Sequence, residues 1–260
     1  MLMAVLLLSN DLMMEKEYIL ITGASSGMGE EMAVSFSAEY NIILCGRDLE
    51  RLNGVKNKCS EGKHIIWQYD LSNVDDVESS LTELIKSNDI IISFFVHCAG
   101  YMKMIPIKML KKEVFEDAYH VNIVSAALII KTLTNKKLNH GALKSVVLIS
   151  SNISNFGAKA FSVYSSTKAG LDGLMRSLAV ELAPHVRINS VLPGGVRTRM
   201  TENLYQDEEL ISRMAATYPL GLGNVSDISQ TVRFLLSDGA RWITGQQLTV
   251  DGGRTINVTG

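Results

Sequence analysis

Seven short apolar runs punctuate the chain: YILIT (18–22), NIILC (41–45), HIIWQY (64–69), IIISFFVH (90–97), SVVLIS (145–150), VRINSVLP (186–193) and QLTVD (247–251). They are rich in Ile, Val and Leu and nearly unbroken. Strands that alternate apolar and polar residues have one wet face, whereas unbroken runs belong to strands covered on both faces. Between them, apolar residues recur at helical spacing and predict helices over about 27–38, 48–58, 73–87, 113–135, 164–183, 202–216 and 225–237. Strict alternation of strand and helix predicts an α/β fold: a doubly wound parallel sheet (Rossmann fold) of about seven strands, with helices on both faces. No linker, repeat or low-complexity tract interrupts the pattern, so residues 18–260 read as one domain. Within it, 194–218 is polar and weakly periodic, the pattern of a mobile lid.

Composition narrows the picture. Apolar residues make up 47% and charged residues 20% of the 260, an ordinary globular balance with ample core. A net charge of −2 gives no electrostatic basis for binding nucleic acid or an anionic membrane. Cys45, Cys59 and Cys98 are odd in number and lack CxxC spacing, so they read as reduced thiols of a cytoplasmic protein. Five scattered histidines form no metal-ligand pattern, and no metal is expected. The opening MLMAVLLLSNDLMMEKE is apolar but has no basic start and is too short to span a bilayer. Residues 1–17 therefore read as a dispensable extension, with Met13 or Met14 as alternative starts.

The first strand runs into ITGASSGMGE, where Gly23, Gly27 and Gly29 open the first helix. Glycines allow a tight turn and close backbone approach, and a helix N-terminus presents N–H donors, so this is a cradle for a dinucleotide pyrophosphate. A Walker loop is excluded, because no G-K-[ST] follows. The second strand ends in CGRDLERL. Gly46 leaves room and Arg47 offers a guanidinium for a ribose 2′-phosphate, so NADP(H) is preferred over NAD(H). Asp48 is the counter-argument, a carboxylate one residue on that equally suits an N-cap. Asp70 in YDLS is placed to accept from an adenine amino group, or to cap a turn.

In VYSSTKAG, Tyr164 and Lys168 stand four apart and share a helix face. The spacing predicts that the ammonium lowers the pKa of the phenol and makes it an acid usable near neutral pH. Ser151 lies thirteen residues earlier, at a strand end. Together with TGASSGMG (22–29), HCAG (97–100), Asn122 in HVNIVSA, PGGVRT (193–198) and ITGQQLTVDGG (243–253), these motifs resemble the short-chain dehydrogenase/reductase family in its compact single-domain branch, including members like 3-oxoacyl carrier-protein reductases. The resemblance runs from residue 18 to 253.

What the resemblance implies is an oxidoreductase that moves a hydride between nicotinamide and a ketone or secondary alcohol, here in the direction of carbonyl reduction. Tyr164 would protonate the forming alkoxide. Lys168 would tune Tyr164 and hold the nicotinamide ribose, and Ser151 would bond the substrate oxygen. The Asn122 carbonyl would hold a proton-relaying water. Ser25, Ser26 and Met28 of the glycine turn, Leu71, Ala99 and Gly100 would line the cofactor, as would Pro193 and Gly194. Val196 and Thr198 would sit by the carboxamide. His97 and Cys98 replace two asparagines usual in the family, and His97 is expected to substitute a structural hydrogen bond. In YPLGLGNVSD, Leu222 stands where carrier-protein reductases often have arginine, which weakens that reading. Met102, Met104, Ile105, Phe156 and Met200 suggest an adaptable apolar pocket wall. The implied partner is a small carbonyl or alcohol, either a 3-oxoacyl thioester or a sugar-derived ketone. The implied assembly is a homodimer, or a homotetramer joined through the last strand. Two other readings stand beside this one: a cofactor-binding regulator without turnover, and an epimerase or dehydratase using the same Tyr and Lys, for which the chain lacks a substrate domain.

Overall fold

Ile19, Leu20 and Ile21 show how the sheet is covered. Successive strand residues point to opposite faces. Leu20 packs with Ile43, Phe95, Val146 and Ile188 on one side, while Ile19 and Ile21 pack with Ile42, Leu44, Val96 and Val147 on the other. All are buried, each contributing about 1.5–3 kcal/mol relative to exposure. The computed structural model describes residues 16–198, 201 and 208–257.

Seven parallel strands form one sheet: β1 (Tyr18–Thr22), β2 (Asn41–Gly46), β3 (Ile65–Gln68), β4 (Ile92–His97), β5 (Ser145–Ile149), β6 (Arg187–Pro193) and β7 (Gln247–Val250). Their spatial order is β3-β2-β1-β4-β5-β6-β7. Helices α3 (Val77–Asn88), α5 (Ser125–Thr134) and α7 (Ser162–Glu181) cover one face, and α1 (Gly27–Phe36), α2 (Leu49–Lys56) and α9 (Val225–Leu236) the other. The remaining helices are α4 (Lys112–Tyr119), the short α6 (Lys136–Asn139) and α8 (Glu208–Ala216). This is the expected doubly wound fold. The order reverses between β1 and β4, and the crevice beyond their carboxyl ends is where such sheets take ligands.

Two sequence expectations need adjustment. The helix expected over 113–135 is broken. A wide π turn at His120–Val124 separates α4 from α5, and Asn135 accepts from the Lys137 amide to cap α6. Lys16 and Glu17, placed with the N-terminal extension by sequence, are tied to the domain. The Lys16 ammonium donates to the Ser37 and Glu61 carbonyls at 3.0 and 2.9 Å, and Glu17 pairs with Lys144 at 2.7 Å. Of the helix expected over 202–216, only Glu208–Ala216 falls among the described residues. Residues 1–15 and 202–207 of the expected extension and lid, and Met200 of the expected pocket wall, lie outside them.

Candidate active site

The turn after β1 is compact because its glycines leave no room for side chains. Gly23 has φ +68°, and a Cβ there would stand 2.8 Å from the Ala99 amide nitrogen. A Cβ on Gly29 would stand 2.2 Å from the Gly23 carbonyl oxygen. The loops after β1 and β4 thus meet backbone to backbone at the switch point. Ser26 caps α1 with extended backbone but no side-chain bond to the first-turn amides, so those donors face outward as an anion site.

These loops form one wall of a cleft of about 810 Å³. Of the residues expected at a cofactor, Gly23, Ser25, Ser26, Gly27, Met28, Arg47, Asp70, Leu71, Ala99, Gly100 and Thr198 line it. Gly29 lies beneath the turn. Pro193, Gly194 and Val196 do not line the cleft. Gly194 is pinched against Asp251 and Tyr218, and the Val196 side chain packs in the core. Sequence reasoning missed Arg51, Tyr69, Tyr101 and Val121, which also line the cleft. Arg51 sits in the first turn of α2, whose N-terminus follows the β2 turn, and that placement was the available signal.

At the β2 end the charges sort themselves. The Asp48 carboxylate accepts from the Arg51 amide at 3.1 Å and pairs with its guanidinium at 2.8 Å, so it is engaged as the α2 cap. Arg47 lies 3.6 Å from Asp70 with its side chain 76% exposed. Burial raises the Asp70 pKa, but hydrogen bonds from Ser72 and the Arg47 charge outweigh it and leave the group below its usual value.

The second group of residues gathers at the β5 end. The β5 strand leads into Ser151, whose hydroxyl accepts from the Ile153 amide at 3.4 Å and lies near enough to the Tyr164 phenol to favour its anion. On α7, Tyr164 and Lys168 share a face, with the Lys168 ammonium 5.7 Å from the Tyr164 ring centroid. The ammonium donates to the Ile149 carbonyl at 2.8 Å. The expected lowering of the phenol pKa is therefore corrected in this structure. Burial pushes Tyr164 up to about 12, partly offset by the Ser151 hydroxyl. Burial also pulls Lys168 down to about 8, opposed by Cys98 and Asp172. One turn beyond Lys168, buried Asp172 accepts from the Ser150 hydroxyl at 2.9 Å, tying α7 to the strand end that carries Ser151.

Asn122 and His97 brace the two groups. The buried Asn122 side chain accepts from the Tyr101 amide at 2.7 Å. It donates to the Tyr101 carbonyl at 3.1 Å and to Thr167 at 2.8 Å. It therefore clips the cleft wall to α7 from inside the π turn. His97 is fully buried, its Nδ1 3.0 Å from the Thr22 hydroxyl and its Nε2 3.2 Å from the Val121 carbonyl. The Thr22 oxygen also accepts from the Cys98 and Ala99 amides at 3.1 and 3.2 Å. That network assigns the proton to Nε2, with Thr22 donating to Nδ1. His97 thus makes structural hydrogen bonds that hold the cleft wall. Burial, then the Lys168 charge, drops its pKa from 6.5 to about 3. A base so lowered is neutral when folded, and its contribution is complete above pH 6.5 and lost as pH falls towards 3. At pH 5 it removes about 2 kcal/mol of stability. We expect His97→Asn, whose amide oxygen can still accept from Thr22 and which removes the titrating ring, to flatten the fall in urea midpoint between pH 7.5 and 5. An unchanged slope would remove His97 as its cause.

Among the described residues, no three His, Cys, Asp or Glu side chains are grouped to hold a metal. No helix among them is long and apolar enough to cross a membrane.

A parallel switch-point sheet, a glycine cradle and a Ser-Tyr-Lys group define a nicotinamide-dependent oxidoreductase. The family model described as Enoyl-(Acyl carrier protein) reductase matches residues 23–255. Glucose 1-dehydrogenase of Gluconobacter oxydans (strain 621H) is 31% identical over 245 residues, 92% of this chain and 91% of that protein. (3R)-3-hydroxyacyl-CoA dehydrogenase of Mus musculus is 30% identical, covering 95% of this chain and 99% of that one. Among solved structures, 4-hydroxyisoleucine dehydrogenase complexed with NADH superposes with a TM-score of 0.86 at 25% identity, over 93% of this chain and 99% of that chain. The chain belongs to the short-chain dehydrogenase/reductase family and is an oxidoreductase acting on CH–OH or carbonyl groups with a nicotinamide cofactor.

Proposed function

We propose that the protein is an NADP(H)-dependent reductase of ketones to secondary alcohols. The observation that carries the cofactor choice is the engagement of Asp48 by α2 and Arg51, which leaves Arg47, at 76%, the most exposed of the charged side chains at the ribose end of the cleft. The glycine turn and the α1 N-terminus would hold the pyrophosphate, Arg47 the 2′-phosphate and Asp70 the adenine amino group. Lys168 would take the nicotinamide ribose hydroxyls, and Thr198, the one residue of the 193–198 segment's expected contacts that lines the cleft, the carboxamide. When bound, the reduced nicotinamide supplies hydride to the carbonyl carbon.

The chain's own residues manage the oxygen and the proton. Ser151 donates to the carbonyl oxygen and stabilises the charge that develops there. Tyr164, whose pKa of about 12 keeps its proton across neutral pH, releases that proton to the same oxygen. Lys168 then stabilises the resulting phenolate, and the Asn122 segment supports proton resupply. The reading extends to a homo-oligomer through β7, supported by Trp242 at 96% and Leu248 at 38% exposure near that edge.

The test is nicotinamide oxidation by the purified protein with NADPH and with NADH against a panel of ketones, repeated with Arg47→Ala. We expect NADPH to be preferred, and the substitution to raise the KM for NADPH about tenfold or more while moving that for NADH far less. Equal loss with both cofactors would overturn the 2′-phosphate role. Failure to reduce any carbonyl while NADPH binds would favour the regulator.

A further inference from the structure

Acidic residues are absent from both loops that lead from the sheet to the Ser-Tyr-Lys group. Residues 90–112 contain no Asp or Glu, and neither do residues 145–171, in a chain whose net charge is −2. The same stretches hold six lysines. Lys112 is neutralised by Glu116 at 2.7 Å, and Lys168 is buried on the Ile149 carbonyl. The other four, Lys103, Lys108, Lys111 and Lys159, are exposed and have no side-chain partner among the described residues. Elsewhere, lysines such as Lys58, Lys131 and Lys144 meet carboxylates at 2.7–2.9 Å.

The four lysines belong to one rim. The loop after β4 leaves the cleft at Tyr101 and Met102, and its Ile105 amide bonds the Ala160 carbonyl at 2.9 Å. That bond ties the loop to the segment bearing Lys159, just before Tyr164 on α7. None of the four lines the cofactor cleft, so the cofactor's own phosphates do not account for them. Beside them, Ile107 and Met109 are each 70% exposed. Unpaired like charges repel and contribute nothing to the fold. Lysines are flexible point charges suited to phosphates, and the bare apolar residues suit an uncharged linker.

We infer that the ketone arrives on a phosphate-bearing carrier, whose phosphates dock on Lys103, Lys108, Lys111 and Lys159 while the reacting carbonyl reaches Tyr164. The inference rests on the reductase reading above and names its substrate class. Two carriers share this chemistry: coenzyme A as a 3-oxoacyl thioester, and a nucleoside diphosphate bearing a keto sugar.

The test is calorimetric binding of coenzyme A and, separately, of UDP to protein saturated with NADPH, at low and high salt. We expect one of them to bind, with affinity that falls as salt rises. The Lys103→Glu/Lys108→Glu/Lys111→Glu protein is expected to lose about tenfold or more of that affinity. Lys136→Glu/Lys137→Glu, on the distant α6, is expected to lose little, and thermal midpoints of both variants check folding. Binding of coenzyme A assigns the thioester, and binding of UDP the nucleotide-linked ketone. Absence of binding by both, or equal loss in the two variants, overturns the inference. A carrier that binds but whose ketone is not reduced leaves the rim standing and defeats the reductase reading. Reduction of phosphate-free ketones without carrier binding does the reverse.

Discussion

Tyr164→Phe is expected to lower kcat for carbonyl reduction by about 10²- to 10⁴-fold, with NADPH affinity little changed. The change removes one oxygen and keeps the ring, which packs edge-on against Phe161 at 6.3 Å. What is lost is the phenolic proton beside Ser151. The pH profile provides a second readout. Tyr164, pushed up to about 12 by burial, keeps its proton throughout the assay range. Lys168, pulled down to about 8 by burial, does not. As pH rises through about 8, Lys168 becomes neutral and can no longer stabilise the phenolate, so kcat for reduction is expected to fall on that limb. A variant that turns over like wild type would remove Tyr164 from the acid role. A flat profile from pH 6 to 9 would remove Lys168 as its electrostatic partner.

The inner strands β1, β2, β4, β5 and β6 were legible because they are buried on both faces, and a continuous run such as SVVLI suits a covered parallel sheet. The glycine turn was legible for a similarly local reason, since its spacing is imposed by backbone contacts within a few residues. The break in the helix over 113–135 was not. It arises where His97 bonds the Val121 carbonyl and Asn122 reaches Tyr101 and Thr167, partners 21 to 45 residues away. Local periodicity carries no trace of such bonds. The Tyr-Lys pair shows the same division. Spacing placed both on one face of α7, but the phenol pKa depends on burial and on Ser151 and Cys98, brought beside it from other strands' ends. Likewise, Val196 could be assigned to the strand-end segment from its motif, but its inward-facing side chain follows from the packing of the whole face.

Gly29→Ala is expected to damage stability and cofactor binding together. Gly29 is helical and has no positive φ, so an alanine there would ordinarily help α1. Space decides otherwise. The added methyl would stand 2.2 Å from the Gly23 carbonyl oxygen and 2.7 Å from its carbon, both backbone atoms that cannot rotate away. Gly23 cannot retreat either, because its own Cα faces the Ala99 backbone. The helix must therefore lift off the turn, at a cost of about 1–3 kcal/mol. The same movement takes the α1 amides away from the pyrophosphate. We expect a lower thermal midpoint and at least tenfold weaker NADPH binding. Gly54→Ala, in α2, is the control. Its Cβ meets nothing within 4 Å, so it is expected to gain about 0.4–1 kcal/mol and leave binding unchanged. If Gly29→Ala melts with wild type and binds NADPH as tightly, the close turn is not what holds the cofactor, and the anion site must be sought elsewhere along the cleft.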